Sequence, residues 1–284
     1  MQSENGNFII GIDIGGTITK IAGLDETGAL QCLQVRATDP LASLYGAFGK
    51  FLSQAGLTLD RVCHVMVTGV GSSALRTPIY GIPTSLVDEF YCTGRGGLYL
   101  SGLEEGIIVS MGTGTAYVEA TKDHISHIGG TGVGGGTLVG LSTAVLGVRD
   151  VQNLAKLAEQ GDLKKVDLSI GDITTNAVSN LPFDATASNF GKLSELATPE
   201  DIALGLFNLV YQTIGMLAVF ASRGHENKEI VLTGNLSDMA ECRPIFNALS
   251  EMYQVRFHVP KQAQFATAVG AALSYGKEPA TRLK

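Results

Sequence analysis

The stretch that decides the fold is Ile10-Gly11-Ile12-Asp13-Ile14-Gly15-Gly16-Thr17-Ile18-Thr19-Lys20. It belongs to a run, Phe8 to Ile14, that is nearly all apolar apart from Asp13, as expected of a β-strand covered on both faces. A carboxylate at the end of such a strand is costly to bury unless a cation meets it. The pattern therefore predicts that Asp13 faces a nucleotide-bound Mg²⁺, held through water.

A glycine turn follows this strand. Glycines let backbone N–H groups approach phosphate oxygens because no Cβ is in the way, and hydroxyl and ammonium groups add donors. The candidate phosphate-binding residues of the turn are Gly15, Gly16, Thr17, Thr19 and Lys20. The same residues also fit an ordinary β-hairpin turn, since residues 17–24 have the pattern of a returning strand. No helix follows, so the pattern favours a β-hairpin phosphate clamp over a dinucleotide fold.

A second copy of this pattern occurs about one hundred residues later, a spacing that suits a duplicated domain. The strand is Gly106 to Gly112, the turn is Thr113-Gly114-Thr115, and a returning strand follows. Two such halves would place Gly112 and Gly114 opposite the first turn, on two walls of one nucleotide cleft. We therefore predict an α/β protein of two duplicated lobes, residues 1–105 and 106–284.

Composition supports this organisation. The 284 residues are 45% hydrophobic and 17% charged, which indicates a globular protein with buried sheets. The net charge of −7 and the lack of a Lys/Arg run argue against nucleic acid as a partner. The four cysteines are far apart and predict reduced thiols, not a metal site or disulfides. The N-terminus lacks a signal-peptide pattern, so we expect a cytoplasmic protein.

One segment has the length of a membrane span. Ile202 to Ser222 carries no charged residue over 21 positions. However, Asn208, Gln212 and Thr213 lie in its middle, and a helix that is apolar all round also suits the centre of a two-lobe protein. We expect a buried helix and no membrane partner.

Two further motifs carry possible chemistry. Residues 131–137 form a glycine loop that opens into an apolar helix, which predicts unpaired N–H groups at Gly134, Gly135, Gly136 and Thr137 for a nucleotide or other anion. Asp88-Glu89 stands at the start of a helix, where acids usually cap or complement the dipole, and a catalytic role is the alternative. The five histidines show no metal-ligand spacing.

Together these residues resemble the type II pantothenate kinases, a branch of the actin-like ATPase and sugar kinase superfamily. The similarity runs from Phe8 to Gly276. Its motifs are Asp13-Ile14-Gly15-Gly16-Thr17, the second Gly-Thr-Gly-Thr turn, the loop that ends at Thr137, Glu89-Phe90 before Thr93-Gly94-Arg95-Gly96, and Thr186-Ala187-Ser188-Asn189-Phe190-Gly191-Lys192. The fold that it implies is a pair of duplicated actin-like, or ribonuclease H-like, lobes around a nucleotide cleft.

The resemblance implies transfer of the ATP γ-phosphate to the primary hydroxyl of pantothenate, the first step towards coenzyme A. Glu89 would accept the hydroxyl proton, which is physically sensible because hydroxyls are weak nucleophiles at neutral pH. Gly234 and Asn235 would approach the nucleoside, and Thr113 would contact the substrate. Thr186 and Ser188 match a loop that reaches the partner subunit's site, which implies a homodimer.

One position departs from the resemblance. Where the family usually has an arginine that holds the pantothenate carboxylate, this chain has His127. A histidine donates a hydrogen bond but lacks the permanently charged bidentate fork. The departure predicts weaker pantothenate binding or a related small hydroxy acid as substrate.

Three alternatives stay open. A sugar or amino-sugar kinase of the same superfamily would usually take its base from an Asn-Asp pair, which does not occur in the sequence. An ATP-driven activator of the iron–sulfur type would need cysteines that bridge a dimer, and the spacing does not fit. A regulator that binds a nucleotide or acyl-CoA without catalysis is the third.

Overall fold

The computed structural model describes residues 8–36, 39–177, 181–225, 228–277 and 280–283. The strands are β1 (Phe8–Ile14), β2 (Ile18–Leu24), β3 (Leu30–Arg36), β4 (Val62–Thr68), β5 (Thr84–Val87), β6 (Glu105–Met111), β7 (Thr115–Thr121), β8 (Ile125–Thr131), β9 (Leu168–Ser169), β10 (Thr186–Ser188), β11 (Glu229–Thr233), β12 (Arg256–His258) and β13 (Ala280–Arg282). The helices are α1 (Pro40–Ala55), α2 (Glu89–Ser101), α3 (Gly135–Leu146), α4 (Val151–Ala158), α5 (Ile170–Ile173), α6 (Pro199–Ala221), α7 (Cys242–Tyr253) and α8 (Ala266–Leu273).

Two sheets share one topology. The first has the order β3-β2-β1-β4-β5, with β13 added beyond β5, and the second has the order β8-β7-β6-β11-β12. In each sheet the first three strands form an antiparallel meander and the next two run parallel to the first strand. The repeated order confirms the predicted pair of duplicated α/β lobes.

The long apolar segment is a core helix. Helix α6 begins with a capping box in which the Thr198 hydroxyl accepts from the Asp201 amide, and it buries Phe207 and Tyr211 completely. Residues 199–224 are long and apolar enough to cross a membrane, yet 61% of the most apolar window lies inside the molecule. The Tyr211 hydroxyl donates to the Leu236 carbonyl at 2.8 Å, so its polar atom is satisfied in the core. The predicted buried helix is confirmed.

Helix α2 lies between the lobes and is held by glycines on two sides. A Cβ on Gly96 would lie 1.7 Å from the Ala266 carbonyl oxygen of α8, and one on Gly94 would lie 2.6 Å from the Ile125 side chain of β8. The hydroxyls of Thr93 and Thr267 are hydrogen-bonded at 3.0 Å across the same helix pair. Because no side chain keeps the backbones apart, α2 packs tightly against α8 and the second sheet at once.

The end of the chain returns to the first sheet. A Cβ on Gly11 of β1 would lie 2.0 Å from the Ala268 carbonyl oxygen, so α8 rests directly on that strand. Strand β13 then pairs antiparallel with β5. The division of the chain at residues 105 and 106 stays a prediction.

The cysteines are free thiols. Cys92 and Cys242 are buried, and Cys32 and Cys63 are half-buried. Burial raises the pKa of the Cys32, Cys92 and Cys242 thiols to about 12. Within the described ranges no three His, Cys, Asp or Glu side chains gather in a way that could hold a metal ion.

Candidate active site

The first hairpin brings a carboxylate and an ammonium group together. Asp13 of β1 and Lys20 of β2 are directly paired, and they are 9% and 8% exposed. Residues paired in this way point to the same face of the sheet. Burial raises the pKa of the Asp13 carboxyl, and the positive charge of Lys20 partly offsets that rise. Burial lowers the pKa of the Lys20 ammonium group, and the negative charges of Asp13 and Glu89 partly offset that fall.

The other side of the Asp13 carboxylate rests on Gly69. This glycine follows β4, has a φ of +90°, and a Cβ on it would lie 2.5 Å from Asp13 Oδ1. A larger residue would push the carboxylate away, so Gly69 is part of the site. No motif in the sequence marks Gly69 as a site residue, and its position directly after β4, the strand next to β1, is the one signal that points to it.

Glu89 joins this hairpin from helix α2. Asp88 caps the helix by accepting from the Tyr91 amide at 2.8 Å, which leaves Glu89 as the first helical residue. Burial, together with the charges of Asp13 and Asp88, raises the pKa of the half-buried Glu89 carboxyl to about 7, and Lys20 opposes the rise. The structure thus brings Glu89 to Asp13 and Lys20, two residues of one hairpin that lie far from Glu89 in the sequence.

The second turn and the glycine loop interlock. The Gly135 amide donates to the Gly112 carbonyl at 2.9 Å, and the Gly136 amide donates to the Thr113 carbonyl at 2.8 Å. The Gly134 amide donates to the hydroxyl of Thr137 at 3.2 Å. The expectation of unpaired N–H groups at these three glycines is therefore wrong, because carbonyls of the neighbouring turn and a local hydroxyl take them.

This interlock depends on close backbone approach. A Cβ on Gly134 would lie 2.7 Å from the Thr113 carbonyl oxygen and 2.8 Å from Gly114. The Thr115 hydroxyl donates to the Val133 carbonyl at 2.8 Å and fixes the loop from the other side. The glycines therefore brace the second turn against the start of α3.

A cleft of about 790 Å³ separates the two turns. Six residues predicted to bind nucleotide or substrate line it: Thr17, Gly112, Thr113, Gly135, Gly136 and Asn235. Gly234 has a φ of +85°, and a Cβ on it would lie 2.4 Å from the Met111 carbonyl oxygen, so it seats Asn235 against the end of β6. The two walls come from different lobes, as the duplicated pattern predicts.

Gly15, Gly16 and Thr19 of the first turn are not among the residues that line this cleft. The Gly15 amide donates to the Ile18 carbonyl at 3.1 Å and closes the hairpin, and Gly16 is exposed at its tip. Thr19 is fully buried, its hydroxyl has no hydrogen-bond partner among the described residues, and strand alternation puts it on the face opposite Lys20.

An ion pair crosses the cleft. The Arg36 guanidinium at the end of β3 lies 3.7 Å from Asp150 Oδ2, and Asp150 also caps α4 by accepting from the Gln152 and Asn153 amides. Arg36, Asp150 and Gln152 line the cleft. The sequence analysis missed this contact, since nothing in the local pattern of either segment indicates the other.

His127 stacks on the residue after Glu89. The rings of Phe90 and His127 are nearly parallel, with centroids 3.9 Å apart and an interplanar angle of 13°. His127 lies on β8 and is exposed. The predicted substrate residue therefore touches the first turn of the helix that carries Glu89.

Thr186 and Ser188 lie elsewhere in this chain. They form β10, and neither lines the cleft. The loop is held by the buried Asp167 carboxylate, which accepts from the Asn208 side chain at 2.6 Å and from the Phe190 amide at 2.8 Å. The fold of one chain does not bring these two residues to Asp13 and Glu89.

The chain is similar in sequence to a known protein family and to named enzymes. The protein-family model described as Fumble matches residues 106–272. The type II pantothenate kinase of Oceanobacillus iheyensis is 29% identical over 276 residues, covering 93% of this chain and 98% of the relative. The type II pantothenate kinase of Bacillus cereus strain G9842 is 27% identical over 259 residues, and the alignment covers 85% of this chain and 89% of the relative.

A solved structure shares the fold. The activator of the 2-hydroxyisocaproyl-CoA dehydratase from Clostridium difficile, with bound ADPNP, superimposes with a TM-score of 0.68 at 20% identity. The alignment covers 94% of this chain and 93% of the activator. At this identity the likeness concerns the fold and carries no statement about activity.

Proposed function

This chain belongs to the Fumble family, and from that premise we propose that it is an ATP-dependent pantothenate kinase. The reaction forms a bond between the pantothenate hydroxyl oxygen and the γ-phosphorus of ATP, breaks the bond from that phosphorus to the β–γ bridging oxygen, and releases ADP. The relatives named type II pantothenate kinase align over 85% and 93% of the chain. This alignment is the observation that carries the proposal, and the site agrees with it because the Glu89 carboxyl lies half-buried beside Asp13 and Lys20 at the start of α2.

Glu89 suits the role of general base. A base works best when its pKa lies near the working pH, because it is then largely deprotonated yet still basic enough to take the proton. In the proposal Glu89 takes the proton of the acceptor hydroxyl as the phosphoryl group arrives. The Asp88 cap fixes the first turn of α2 and so limits the positions open to Glu89.

The nucleotide would lie in the cleft between the two turns. Thr17 on one wall and Gly112 with Thr113 on the other line the cleft and would hold the triphosphate, together with Gly15 and Gly16, which precede Thr17 in the turn. Lys20 would stabilise the charge of the transferring group, since a buried ammonium acts more strongly there than in water. Asn235 would approach the nucleoside.

The residues present fit a magnesium ion held mainly by the nucleotide. Mg²⁺ usually binds one or two carboxylates, waters and substrate phosphates, and Asp13 offers one buried carboxylate with Glu89 nearby. Asp13 would hold the ion through water. When bound, the ion neutralises phosphate charge and aligns the phosphates for in-line transfer.

A homodimer and a cytoplasmic location are parts of the same proposal. Thr186 and Ser188 lie off the cleft of their own chain, which suits a loop that serves the partner subunit's site. ATP as phosphoryl donor suits the cytoplasm. Size-exclusion chromatography with light scattering tests the dimer directly.

The deciding experiment follows ADP formation from ATP with pantothenate, with a panel of hexoses and amino sugars, and with no acceptor. We expect ADP formation that depends on pantothenate and on magnesium, and Glu89→Gln should abolish it while ATP still binds by calorimetry. Turnover with a sugar only, or ATP binding without turnover, would replace the proposal with one of the alternatives.

A further inference from the structure

We propose that His127 is a positioning residue for Glu89, acting through the face of its ring where it stacks on Phe90. The inference rests on the proposed function, because it assigns Glu89 the role of base. It adds a role for His127 that does not depend on contact between its nitrogen atoms and the substrate.

A β-bulge aims His127 at helix α2. In the pairing of β7 with β8, Tyr117 lies opposite Gly129 and Val118 lies opposite His127, so Ile128 is an extra residue in β8. Gly129 has a φ of +155°, a conformation that other residues rarely adopt. Without the bulge Ile128 would pair with Val118, and His127 would point to the other face of the sheet. The bulge therefore exchanges an aliphatic side chain for an imidazole on the α2 face.

The partner ring is anchored on the same face. Phe90 packs on the buried residues Ile108, Val118 and Val231 of the second sheet. A Cβ on Gly94, one turn further along α2, would lie 2.6 Å from the Ile125 side chain of β8, so the helix lies close to this sheet. Phe90 is thus held both by the buried residues of the second sheet and by the ring of His127.

Flat stacking limits where Phe90 can move. The centroid distance of 3.9 Å and the angle of 13° place the two rings face against face, which restricts the rotamers of the Phe90 side chain. Glu89 is the adjacent residue in the same turn, so a shift of Phe90 moves the carboxylate. Misplacing a catalytic group by about 1 Å can cost about 100-fold in rate.

The role of the ring face separates this inference from substrate recognition. A phenylalanine at position 127 keeps a flat aromatic partner for Phe90 but has neither donor nor charge. An alanine removes both. The two substitutions therefore give different results if the stack matters and the same result if the nitrogen atoms matter.

The experiment measures kcat and the KM values for ATP and pantothenate in His127→Ala, His127→Phe, Phe90→Ala and the double variant Phe90→Ala/His127→Ala. We expect His127→Ala to lower kcat about tenfold or more with an unchanged KM for ATP. We expect His127→Phe to retain kcat within about threefold, and His127→Ala to add little in the Phe90→Ala background because the stack is already absent.

A second readout needs no acceptor. In protein labelled with [¹⁵N]glutamate, the backbone amide signal of Glu89 should shift or broaden in His127→Ala and stay near its wild-type position in His127→Phe. The inference is overturned if both variants lose kcat equally, if the Ala variant keeps wild-type kcat, or if the effects of Phe90→Ala and His127→Ala multiply. A wild-type protein that does not phosphorylate pantothenate refutes the proposed function instead, and the amide signal still decides the stack.

Discussion

Asp13 and Lys20 face each other across the β1–β2 hairpin, and both side chains are more than nine-tenths buried. Each makes the burial of the other less costly, because a lone charge in this position would lack a counterion. Glu89 adds a second carboxylate beside the same ammonium group. The hairpin is therefore a charged site already assembled before any nucleotide binds.

Removing Lys20 should cost both stability and activity. Lys20→Met leaves the Asp13 carboxylate buried without its cation, and we expect a loss of about 3 kcal/mol in the free energy of unfolding at pH 8. We expect kcat/KM for ATP to fall about 100-fold, since a charge that stabilises the transferring phosphoryl group is lost. Urea unfolding and steady-state kinetics measure the two effects.

The control for this variant is Lys50→Met on the exposed side of α1. It should change the free energy of unfolding by no more than about 0.5 kcal/mol. Adding Asp13→Asn to Lys20→Met should recover part of the stability but not the activity. A Lys20→Met protein as stable as the wild type would contradict the account of the pair.

The rate should depend on the ionisation of Glu89. Its pKa of about 7 predicts that kcat/KM for pantothenate is level above neutrality and falls about tenfold per pH unit below it, because a protonated base accepts no proton. In Asp88→Asn the fall of kcat/KM should begin at a lower pH, since the charge of Asp88 raises the pKa of Glu89. A profile with no acid limb above pH 5 would exclude Glu89 as the base.

Glu89→Gln should be more stable than the wild type at high pH. The pKa of Glu89 is raised from its usual value of 4.5, so the wild type loses stability as the pH rises from there to about 7. The Gln variant has no such loss. We expect it to gain about 1–3 kcal/mol at pH 8 and almost nothing at pH 4. If the variant and the wild type differed by the same free energy of unfolding at pH 4 and at pH 8, ionisation of Glu89 would not be the cause.

The glycines of α2 should tolerate no side chain. In Gly96→Ala the new Cβ would meet the Ala266 carbonyl oxygen at 1.7 Å, so α2 and α8 must separate, and we expect a loss of about 3 kcal/mol. The matched control is Gly46→Ala in α1, where no atom lies within 4 Å of the new Cβ. That variant should gain about 0.5–1 kcal/mol from helix propensity. Thermal unfolding of the two proteins should show opposite shifts.

His127→Arg should improve pantothenate binding. An arginine stacks on an aromatic ring as histidine does and adds a charged fork for the acceptor carboxylate. We expect the KM for pantothenate to fall about tenfold with kcat nearly unchanged. His124→Arg, in the exposed turn between β7 and β8, serves as the control. A raised KM would show that this chain does not hold a carboxylate near position 127.

Local pattern predicted the central elements of both lobes. The apolar run from Phe8 to Ile14 is β1, and the strand predicted from Gly106 to Gly112 is β6, shifted by one residue at each end. The edge strands β3 and β8 received no prediction, because their mixed polar residues give no clear period. Residues 242–258, which form α7 and β12, were likewise not assigned.

The candidate site was only partly accessible from the sequence. Asp13 and Lys20 could be paired because they belong to one hairpin. Their meeting with Glu89 depends on how α2 packs between α8 and the second sheet, which no local pattern encodes. The amides of Gly135 and Gly136 could not be assigned from the sequence for the same reason, since their acceptors lie in a turn about twenty residues away in the chain.

The seat of α8 on Gly11 has a consequence for synthesis on the ribosome. The strand that bears Asp13 is synthesised long before the helix that covers it, because β1 and α8 lie far apart in the sequence. The nascent first lobe therefore keeps one side of its central strand uncovered until α8 has left the exit tunnel, and it can close only after that point. Chaperones that bind exposed apolar strands have this interval in which to act.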